Sequence, residues 1–229
     1  MGKGNPKKEY RLLPETGLTV LGMAVSAFAA IPEIQAIAIT VPDDPETGEA
    51  AARQALPPEL LEENACPRVY FVPGGPTRRA SVFNALSLLS FELEPSLPRY
   101  VLIHDGARPW ASDSLIRRVI AEVKINRAAI PLLPLTDTPK ETDIPLEGSG
   151  GKAVFIKRNL KRALTGTAQT PQGFVFQEIL GAHEKAALQD GSIEYTDDAE
   201  VWAAFCGPVA VVPGELQNKK ITFPEDLVC

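Results

Sequence analysis

An acidic and a basic residue follow directly after a run of apolar residues in the middle of the chain. Residues 100–103 are Tyr-Val-Leu-Ile, and Asp105, Gly106 and Arg108 come next. A buried strand that ends in this way delivers polar groups to the edge of a sheet, where α/β enzymes place their chemistry. This mixture suits a metal-bound phosphate better than a packed core. The simpler alternative is that Asp105 only caps the next helix.

A second candidate is a glycine-rich turn between a predicted strand and a predicted helix. Gly74 and Gly75 follow the apolar residues 69–72 and precede a helical pattern. Glycines let a ligand approach the backbone, and a helix N-terminus favours negative charge. Such turns are also common without any ligand, and Thr77 or Ser81 could serve only as a helix cap. On its own, the turn is therefore weak support for a binding site.

Three more polar clusters lie at predicted element boundaries. They occupy residues 167–172, 195–200 and 218–222. Each could be a simple turn or cap, and the Thr-Asp-Asp run in the second cluster is typical of a helix N-terminus. The clusters therefore acquire meaning only in combination.

The rest of the chain alternates between helices and strands. Apolar residues at i, i+3, i+4 and i+7 predict a helix at 21–28, and an apolar run predicts a strand at 37–41. This alternation favours an α/β fold, with a mostly parallel sheet and helices on both faces. The other predicted helices are 58–64, 79–89, 112–124, 176–189 and 199–205, and the other predicted strands are 69–72, 100–103, 128–133 and 209–212.

One segment interrupts the alternation. Residues 135–158 are rich in Thr, Asp, Pro, Gly and Lys around a short apolar strand predicted at 153–156. This composition predicts a protruding β-arm that serves as an interaction element. The 229 residues, 45% of them apolar, suffice for one sizeable core. We therefore expect a single domain, 1–229, with the arm as its appendage.

Composition narrows the functional classes. A formal net charge of -6 argues against nucleic acid or an anionic membrane as a general partner, because counterion release needs a basic surface. Cys66, Cys206 and Cys229 are odd in number and far apart, which supports neither a disulfide framework nor a zinc site and fits a reducing cytoplasm. The most apolar stretch, 22–41, is interrupted by Pro32 and cannot span a bilayer. No signal peptide is recognisable.

Taken together and in this order, the clusters resemble the cytidylyltransferases that make 4-diphosphocytidyl-2-C-methyl-D-erythritol from CTP and 2-C-methyl-D-erythritol 4-phosphate. The resemblance covers nearly the whole chain. It implies a Rossmann-like nucleotidyltransferase fold and transfer of a cytidylyl group with release of pyrophosphate, in non-mevalonate isoprenoid precursor synthesis. The matching segments are Pro6-Lys7, GGPTRRASVFNAL, VLIHDGARP, Lys157-Arg158, TAQTPQGF, YTDDA and NKKITFPEDL.

The resemblance also implies roles for individual residues. Lys7 and Lys220 would bracket the α-phosphate and stabilise the charge that develops on it, a task suited to compact ammonium groups. Asp105 would help to hold Mg²⁺ or another divalent cation beside the phosphates. The residues that match nucleotide-binding positions are Gly74, Gly75, Ser81 and Gly106, and those that match sugar-phosphate positions are Arg108, Thr138, Arg158, Thr170 and Thr196.

Two features depart from the family pattern. The family often has an acidic residue after the second glycine, where this chain has Pro76, which offers neither a side-chain acceptor nor a backbone donor. Family members also open with an apolar strand and a phosphate loop and close with a helix, none of which we recognise in this sequence. We expect a start downstream of the original one, or a trimmed or decayed copy. Residues 37–41 and 100–103 should then face each other across a gap.

Relatives also suggest how the arm is used. In them Thr138 and Arg158 lie on the arm and reach the site of the neighbouring subunit, which implies a homodimer. Two alternatives stay open. Ribitol 5-phosphate cytidylyltransferases share the nucleotide half of the motifs, although Arg158 favours methylerythritol phosphate. A catalytically silent dimeric binding module of the same fold is the second, and the presence of Lys7, Lys220 and Asp105 together argues against it.

Overall fold

The strands of this protein form two separate sheets and a small hairpin. The computed structural model describes residues 7–44, 47–145, 150, 152–189 and 195–227. The strands are β1 (Ala36–Val41), β2 (Arg68–Pro73), β3 (Tyr100–Ile103), β4 (Ala128–Pro134), β5 (Lys140–Thr142), β6 (Ile156–Asn159), β7 (Gly166–Ala168), β8 (Gln172–Val175) and β9 (Ala210–Pro213). β1 pairs with β2 in parallel, and β5 pairs with β6 as the antiparallel hairpin. The other five strands form the larger sheet.

The larger sheet is mixed. β8 lies between β3 and β4 and is antiparallel to both, so β3 and β4 run in the same direction. β9 is parallel to β4, and β7 is antiparallel to it. The α/β class is confirmed, and the strands that the alternation predicted are present. The larger sheet is mixed rather than mostly parallel, because β7 and β8 run antiparallel to their neighbours. These two strands were not predicted, because each has at most four residues and they lie at the two ends of the polar cluster 167–172.

Six α-helices accompany the strands in the described residues, and their starts follow from local capping. The longest, α3, has 15 residues, and none is long and apolar enough to cross a membrane. Thr19, Thr77 and Ser112 each accept a backbone N–H from the first turn of a helix. The helices are α1 (Val20–Ala29), α2 (Thr47–Gln54), α3 (Arg78–Glu92), α4 (Asp113–Asn126), α5 (Phe176–Ala187) and α6 (Asp198–Phe205).

Helices pack on both faces of the larger sheet, as predicted. Ala128 and Ala129 are neighbours in β4 and point to opposite faces, and both are fully buried. Ala128 belongs to a cluster with Phe174 and Trp202, whose rings stack with centroids 5.5 Å apart. Ala129 packs against Val119 of α4. The core therefore extends through the sheet and fixes the strand ends that follow.

Two predicted elements need correction, and one helix was missed. The helix predicted at 58–64 is a short 3-10 turn, Pro58–Leu61, and α2 was missed because its buried face consists of alanines such as Ala52 rather than large apolar residues. The arm strand predicted at 153–156 is instead β6, which starts at Ile156. Every residue of β6 is exposed, so its pairing with β5 needs no apolar run.

β1 and β3 face a common cavity without pairing to each other. The two strands belong to different sheets, and both line a cavity of about 940 Å³ along their length. This is the gap that was expected between residues 37–41 and 100–103. Most residues of both strands are only half-buried, because the cavity takes the place of a packed neighbour. The carboxyl ends of β1, β2 and β3 open at one end of this cavity and carry the polar turns.

Candidate active site

A carboxylate between cations forms the centre of the site, just beyond the end of β3. The Oδ2 atom of Asp105 lies 3.1 Å from Nζ of Lys220 and 3.4 Å from Nε of Arg108. Arg108 also donates through Nη1 to the carbonyl oxygen of Asn218, at 2.8 Å. The structure thus brings Asp105, Arg108 and Lys220 together as predicted. Arg108 is tied to the protein on both sides, whereas the side chain of Lys220 is 45% exposed.

The charge of Asp105 follows from its neighbours. Burial alone would raise the pKa of this carboxyl, but Lys220, Arg78 and Arg108 outweigh that effect and lower it. Asp105 is therefore ionised at neutral pH. Among the described contacts both cations meet Oδ2, which leaves Oδ1 available. One available carboxylate oxygen is enough for a Mg²⁺ ion whose other ligands come from a phosphate substrate, since Mg²⁺ usually takes one or two carboxylates.

The described residues do not provide a complete set of ligands for a metal ion. The described residues contain no group of three or more His, Cys, Asp or Glu side chains that could hold a metal ion. Any divalent cation at Asp105 would thus depend on ligand oxygens and water. This matches the reluctance of Mg²⁺ to lose its water shell.

The glycine-rich turn is held by its own hydrogen bonds. The backbone N–H of Gly75 donates to Oγ of Ser81 at 3.0 Å, and that hydroxyl donates to the carbonyl oxygen of Thr77 at 3.0 Å. Thr77 in turn caps α3, as the simpler sequence interpretation predicted. Ser81 therefore shapes the turn in this structure, and the backbone of Gly74 and Gly75 faces the cavity.

The cavity gathers the residues that were predicted to bind a nucleotide. Its volume of about 940 Å³ lies in the range of about 300–1,000 Å³ that is typical of small-molecule sites. Its polar end lies at the strand termini, and its walls along β1 and β3 are apolar. The predicted residues that line it are Lys7, Gly74, Gly75, Ser81 and Gly106.

Two residues that were predicted to bind the sugar phosphate form hydrogen bonds to other residues of the chain. Thr170 is 4% exposed, and its hydroxyl accepts the backbone N–H of Asp105 at 3.0 Å. Thr196 is exposed, and its backbone N–H donates to Glu200 at 2.7 Å. Thr196 is thus open to solvent at the start of α6, while Thr170 faces the turn after β3.

The arm carries the remaining two. Thr138 is exposed before β5, and the guanidinium of Arg158 is 68% exposed and pairs with Glu141 at 2.7 Å. Lys157 pairs with the same carboxylate at 2.9 Å. Among the described residues, the hydrogen bonds and ion pairs of Asp105 involve Lys220, Arg108 and Thr170 and no residue of β5 or β6. The single chain therefore does not bring Thr138 and Arg158 to the strand-end cluster.

Sequence reasoning missed a buried network beside the site. The carboxylate of Asp198, 1% exposed, accepts from Arg78 at 2.8 Å and lies 3.2 Å from Nε2 of His183. Gln172 accepts the backbone N–H of Asp198, and Asp197 caps α6 as the simpler interpretation predicted. The network connects the start of α3, after the glycine-rich turn, with the start of α6. Its sequence signals were the arginine after that turn and the paired aspartates.

His104 is a neutral histidine whose charge state should affect stability. Burial, beside the ring of Phe28 at 4.7 Å, lowers the pKa of His104 to about 4. Protonation then favours the unfolded chain, so stability is complete above pH 6.5 and is lost as the pH falls toward 4. Between pH 7 and pH 5 we expect the wild type to lose up to about 2 kcal/mol of unfolding free energy that a His104→Gln variant retains. Urea unfolding at both pH values measures this, and an equal loss in the variant would contradict it.

Comparisons with known proteins agree with this geometry. The family model described as 2-C-methyl-D-erythritol 4-phosphate cytidylyltransferase (IspD) matches residues 1–229. A bifunctional enzyme IspD/IspF from Bradyrhizobium sp. (strain ORS 278) is 40% identical over 99% of this chain and 51% of its own length, and one from Nitrobacter hamburgensis is 39% identical over 99% and 50%. The chain thus spans about half the length of the curated relatives it matches.

Solved structures show the same likeness. A 2-C-methyl-D-erythritol 4-phosphate cytidylyltransferase from Thermus thermophilus is 31% identical, with a TM-score of 0.67, over 98% of this chain and 91% of that one. A 4-diphosphocytidyl-2C-methyl-D-erythritol synthase from Anaerococcus prevotii is 27% identical, with a TM-score of 0.75, over 95% and 86%. Their folds match this one along nearly its whole length.

Proposed function

The chain belongs to the 2-C-methyl-D-erythritol 4-phosphate cytidylyltransferase family, and from that premise we propose that it transfers the cytidylyl group of CTP to 2-C-methyl-D-erythritol 4-phosphate. The products are 4-diphosphocytidyl-2-C-methyl-D-erythritol and pyrophosphate. The observation that carries the proposal is the contact between Asp105 and Lys220 just beyond the end of β3, beside Gly106, which lines the cavity. The family's route to isoprenoid precursors and a cytoplasmic setting are part of the same proposal.

The reaction requires charge and positioning more than covalent chemistry from the protein. An oxygen of the substrate phosphate forms a bond to the α-phosphorus of CTP, and the bond from that phosphorus to the oxygen bridging to the β-phosphate breaks, so pyrophosphate leaves with the electron pair. Negative charge grows on the oxygens of the α-phosphorus. Lys220, held by Asp105, would stabilise that charge together with Lys7, which lines the cavity beside the turn after β3.

We include a divalent cation, Mg²⁺, in the proposal. Asp105 would hold it through the oxygen that no described cation contacts, and the phosphate oxygens of CTP would complete much of its shell. When bound, the ion would supply charge neutralisation for the triphosphate. Within the chain, Arg108 and Lys220 would keep the Asp105 carboxylate ionised and directed.

The nucleotide half of the proposal predicts a strong effect at Gly75. A Cβ atom at this position would lie 2.5 Å from Cβ of Ala80, closer than packed atoms come, so Gly75→Ala should displace the turn from α3. We expect the affinity for CTP to fall by about ten-fold or more, equivalent to about 1.4 kcal/mol. Isothermal titration with CTP measures it.

A matched glycine serves as the control. Gly181 lies within α5, and a Cβ there would meet nothing within 4 Å. Gly181→Ala should leave CTP affinity unchanged and raise stability by about 0.5–1 kcal/mol, because alanine favours the helix. Unchanged CTP affinity in Gly75→Ala would remove the turn from the proposed site.

We also propose a homodimer in which the arm completes the neighbouring site. Supporting this, Phe155 and Ile156 expose 66% and 61% of their surface on the arm, and exposed apolar groups of this kind mark interfaces. Arg158 and Thr138 are likewise exposed. They would bind the sugar phosphate from the partner, with Arg158 as a fork for the phosphate.

Mixing two inactive variants tests this arrangement. A protomer with Lys220→Met lacks its own site but offers an intact arm, and one with Arg158→Ala has the reverse. If the arms reach across, each mixed dimer contains one complete site, and activity returns on mixing. Mixtures that stay as inactive as their components, although light scattering shows exchanged dimers, would place Arg158 outside the neighbouring site.

Substrate choice decides between the sugar phosphates. Incubation of the purified chain with CTP and Mg²⁺ should release pyrophosphate with 2-C-methyl-D-erythritol 4-phosphate and not with ribitol 5-phosphate. Release with ribitol 5-phosphate alone would replace the acceptor in the proposal. No pyrophosphate release with either acceptor would favour a binding module of the same fold. Among the described strands, β1 and β3 each have one unpaired edge, which supports that alternative.

A further inference from the structure

The turn after β3 is held by the side chain of His104, which lies within the VLIHDGARP segment but has no role in the resemblance or in the proposed chemistry. Nδ1 of His104 lies 3.0 Å from Oγ1 of Thr170, and Nε2 lies 3.0 Å from the carbonyl oxygen of Arg108. The same Thr170 hydroxyl accepts the backbone N–H of Asp105 at 3.0 Å. His104 therefore meets both ends of the turn that carries Asp105.

Only one assignment of hydrogens satisfies all three contacts. The Arg108 carbonyl can only accept, so Nε2 of His104 must carry the proton and donate to it. Nδ1 of the neutral ring is then an acceptor, and the Thr170 hydroxyl donates to it. That leaves the lone pairs of the hydroxyl for the N–H of Asp105. The three bonds form a directed chain from Asp105 through Thr170 and His104 to Arg108.

We propose that His104 and Thr170 are positioning residues, which fix the direction of the Asp105 carboxylate toward Lys220. This inference rests on the proposed function for its catalytic part. It assigns to Thr170 an inward task, in place of direct contact with the sugar phosphate, and its 4% exposure fits that task. The turn also orients Arg108, whose Nε meets Asp105 and whose Nη1 meets the loop before Lys220.

The orientation of the Asp105 carboxylate matters because its two oxygens have different partners. Oδ2 meets Lys220 and Arg108, and Oδ1 would be the oxygen available to a metal ion. Rotation of the turn would exchange or misdirect them. Groups behind a metal-binding residue typically change metal affinity or activity by about 10- to 100-fold when removed. A histidine that only filled the core would not alter the metal requirement.

Two variants break the hydrogen bond between Thr170 and the ring of His104 from either side. Thr170→Val removes the hydroxyl with little change in shape, and Thr170→Ser retains it. His104→Gln can still donate through Nε2 to the Arg108 carbonyl, but its acceptor oxygen does not occupy the position of Nδ1, which faces Thr170. Thr165→Val is the matched control, because that hydroxyl bonds only to the backbone of Lys161 among the described contacts.

Kinetics give the first readout. Thr170→Val and His104→Gln should each lower kcat by about 10- to 100-fold and raise the Mg²⁺ concentration for half-maximal rate, with KM for CTP unchanged. Thr170→Ser should lose less. The double variant should be no slower than Thr170→Val, because both changes break one chain of bonds. Rate losses that multiply, or an unchanged Mg²⁺ requirement, would overturn the proposal.

Hydrogen exchange gives a readout that does not need activity. NMR should show the amide proton of Asp105 exchanging at least ten-fold faster in Thr170→Val and His104→Gln, and at the wild-type rate in Thr165→Val. Unchanged exchange in the first two variants would overturn the proposal whether or not the enzyme turns over. A silent wild-type chain with the expected exchange pattern would instead reject the proposed function and leave the hydrogen-bonded turn in place.

Discussion

Replacement of Lys220 by methionine is expected to lower kcat/KM for pyrophosphate release by about 10³-fold, the upper range for loss of one charge-stabilising donor. The ammonium group is held 3.1 Å from Asp105, and nearly half of the side chain is open to solvent. Asp105 therefore orients the ammonium group, which stays accessible to a bound phosphate. Methionine keeps most of the length of the side chain and removes the charge and its N–H donors, so the loss reports on transition-state stabilisation.

The neighbouring lysine provides the control for this prediction. Lys219 lies over the ring of Trp110, with Nζ 5.2 Å from the ring centroid. Its removal deletes the same charge from the adjacent position of the same loop. Lys219→Met should change kcat/KM by no more than a few-fold. A Lys220→Met variant that works within a few-fold of the wild type would show that this lysine does not stabilise the reacting phosphate.

Replacement of Arg78 by methionine is expected to destabilise the fold by about 3 kcal/mol, because it leaves the charge of a buried aspartate without its main partner. The side chain of Asp198 is 1% exposed, and Arg78 is the cation that contacts it at 2.8 Å. Arg78 is 36% exposed, which places the expected value at the lower end for a broken buried pair. Denaturant unfolding measures the free energy.

Two further variants make this prediction sharp. Adding Asp198→Asn to Arg78→Met should recover part of the lost stability, since asparagine carries no charge to bury. Arg117→Met is the matched control, because Arg117 pairs with Asp113 and Glu33 on an exposed surface, where ion pairs contribute little. Equal stability of Arg78→Met and the wild type would show that water solvates Asp198 without help.

Much of the architecture could be read from local patterns. The cap at Thr77 and the apolar runs of β3 and β4 depend on neighbouring residues alone, and the structure has them where the sequence predicts. β8 could not be predicted in this way. Its residues Gln172 and Gly173 are not typical of strands, and the strand forms because β3 and β4 provide hydrogen-bonding partners on both sides.

The site shows the same division. The resemblance to the family implied that Asp105 and Lys220 belong to one site. They could not show that the Thr170 hydroxyl turns inward to His104, or that Arg108 is tied to Asn218. Such contacts depend on how two distant loops pack, and a threonine that binds a ligand looks the same in sequence as one that holds a turn.

The fate of the α-phosphorus of CTP tests cytidylyl transfer most directly. Purified chain would be incubated with Mg²⁺, 2-C-methyl-D-erythritol 4-phosphate and CTP labelled at either the α- or the γ-phosphate, and the labelled products separated. Transfer by the Asp105 and Lys220 site predicts that the α label appears in the sugar product and the γ label in pyrophosphate, with neither in Lys220→Met. An α label that stays in CTP, or leaves as CMP without joining the sugar phosphate, would contradict it.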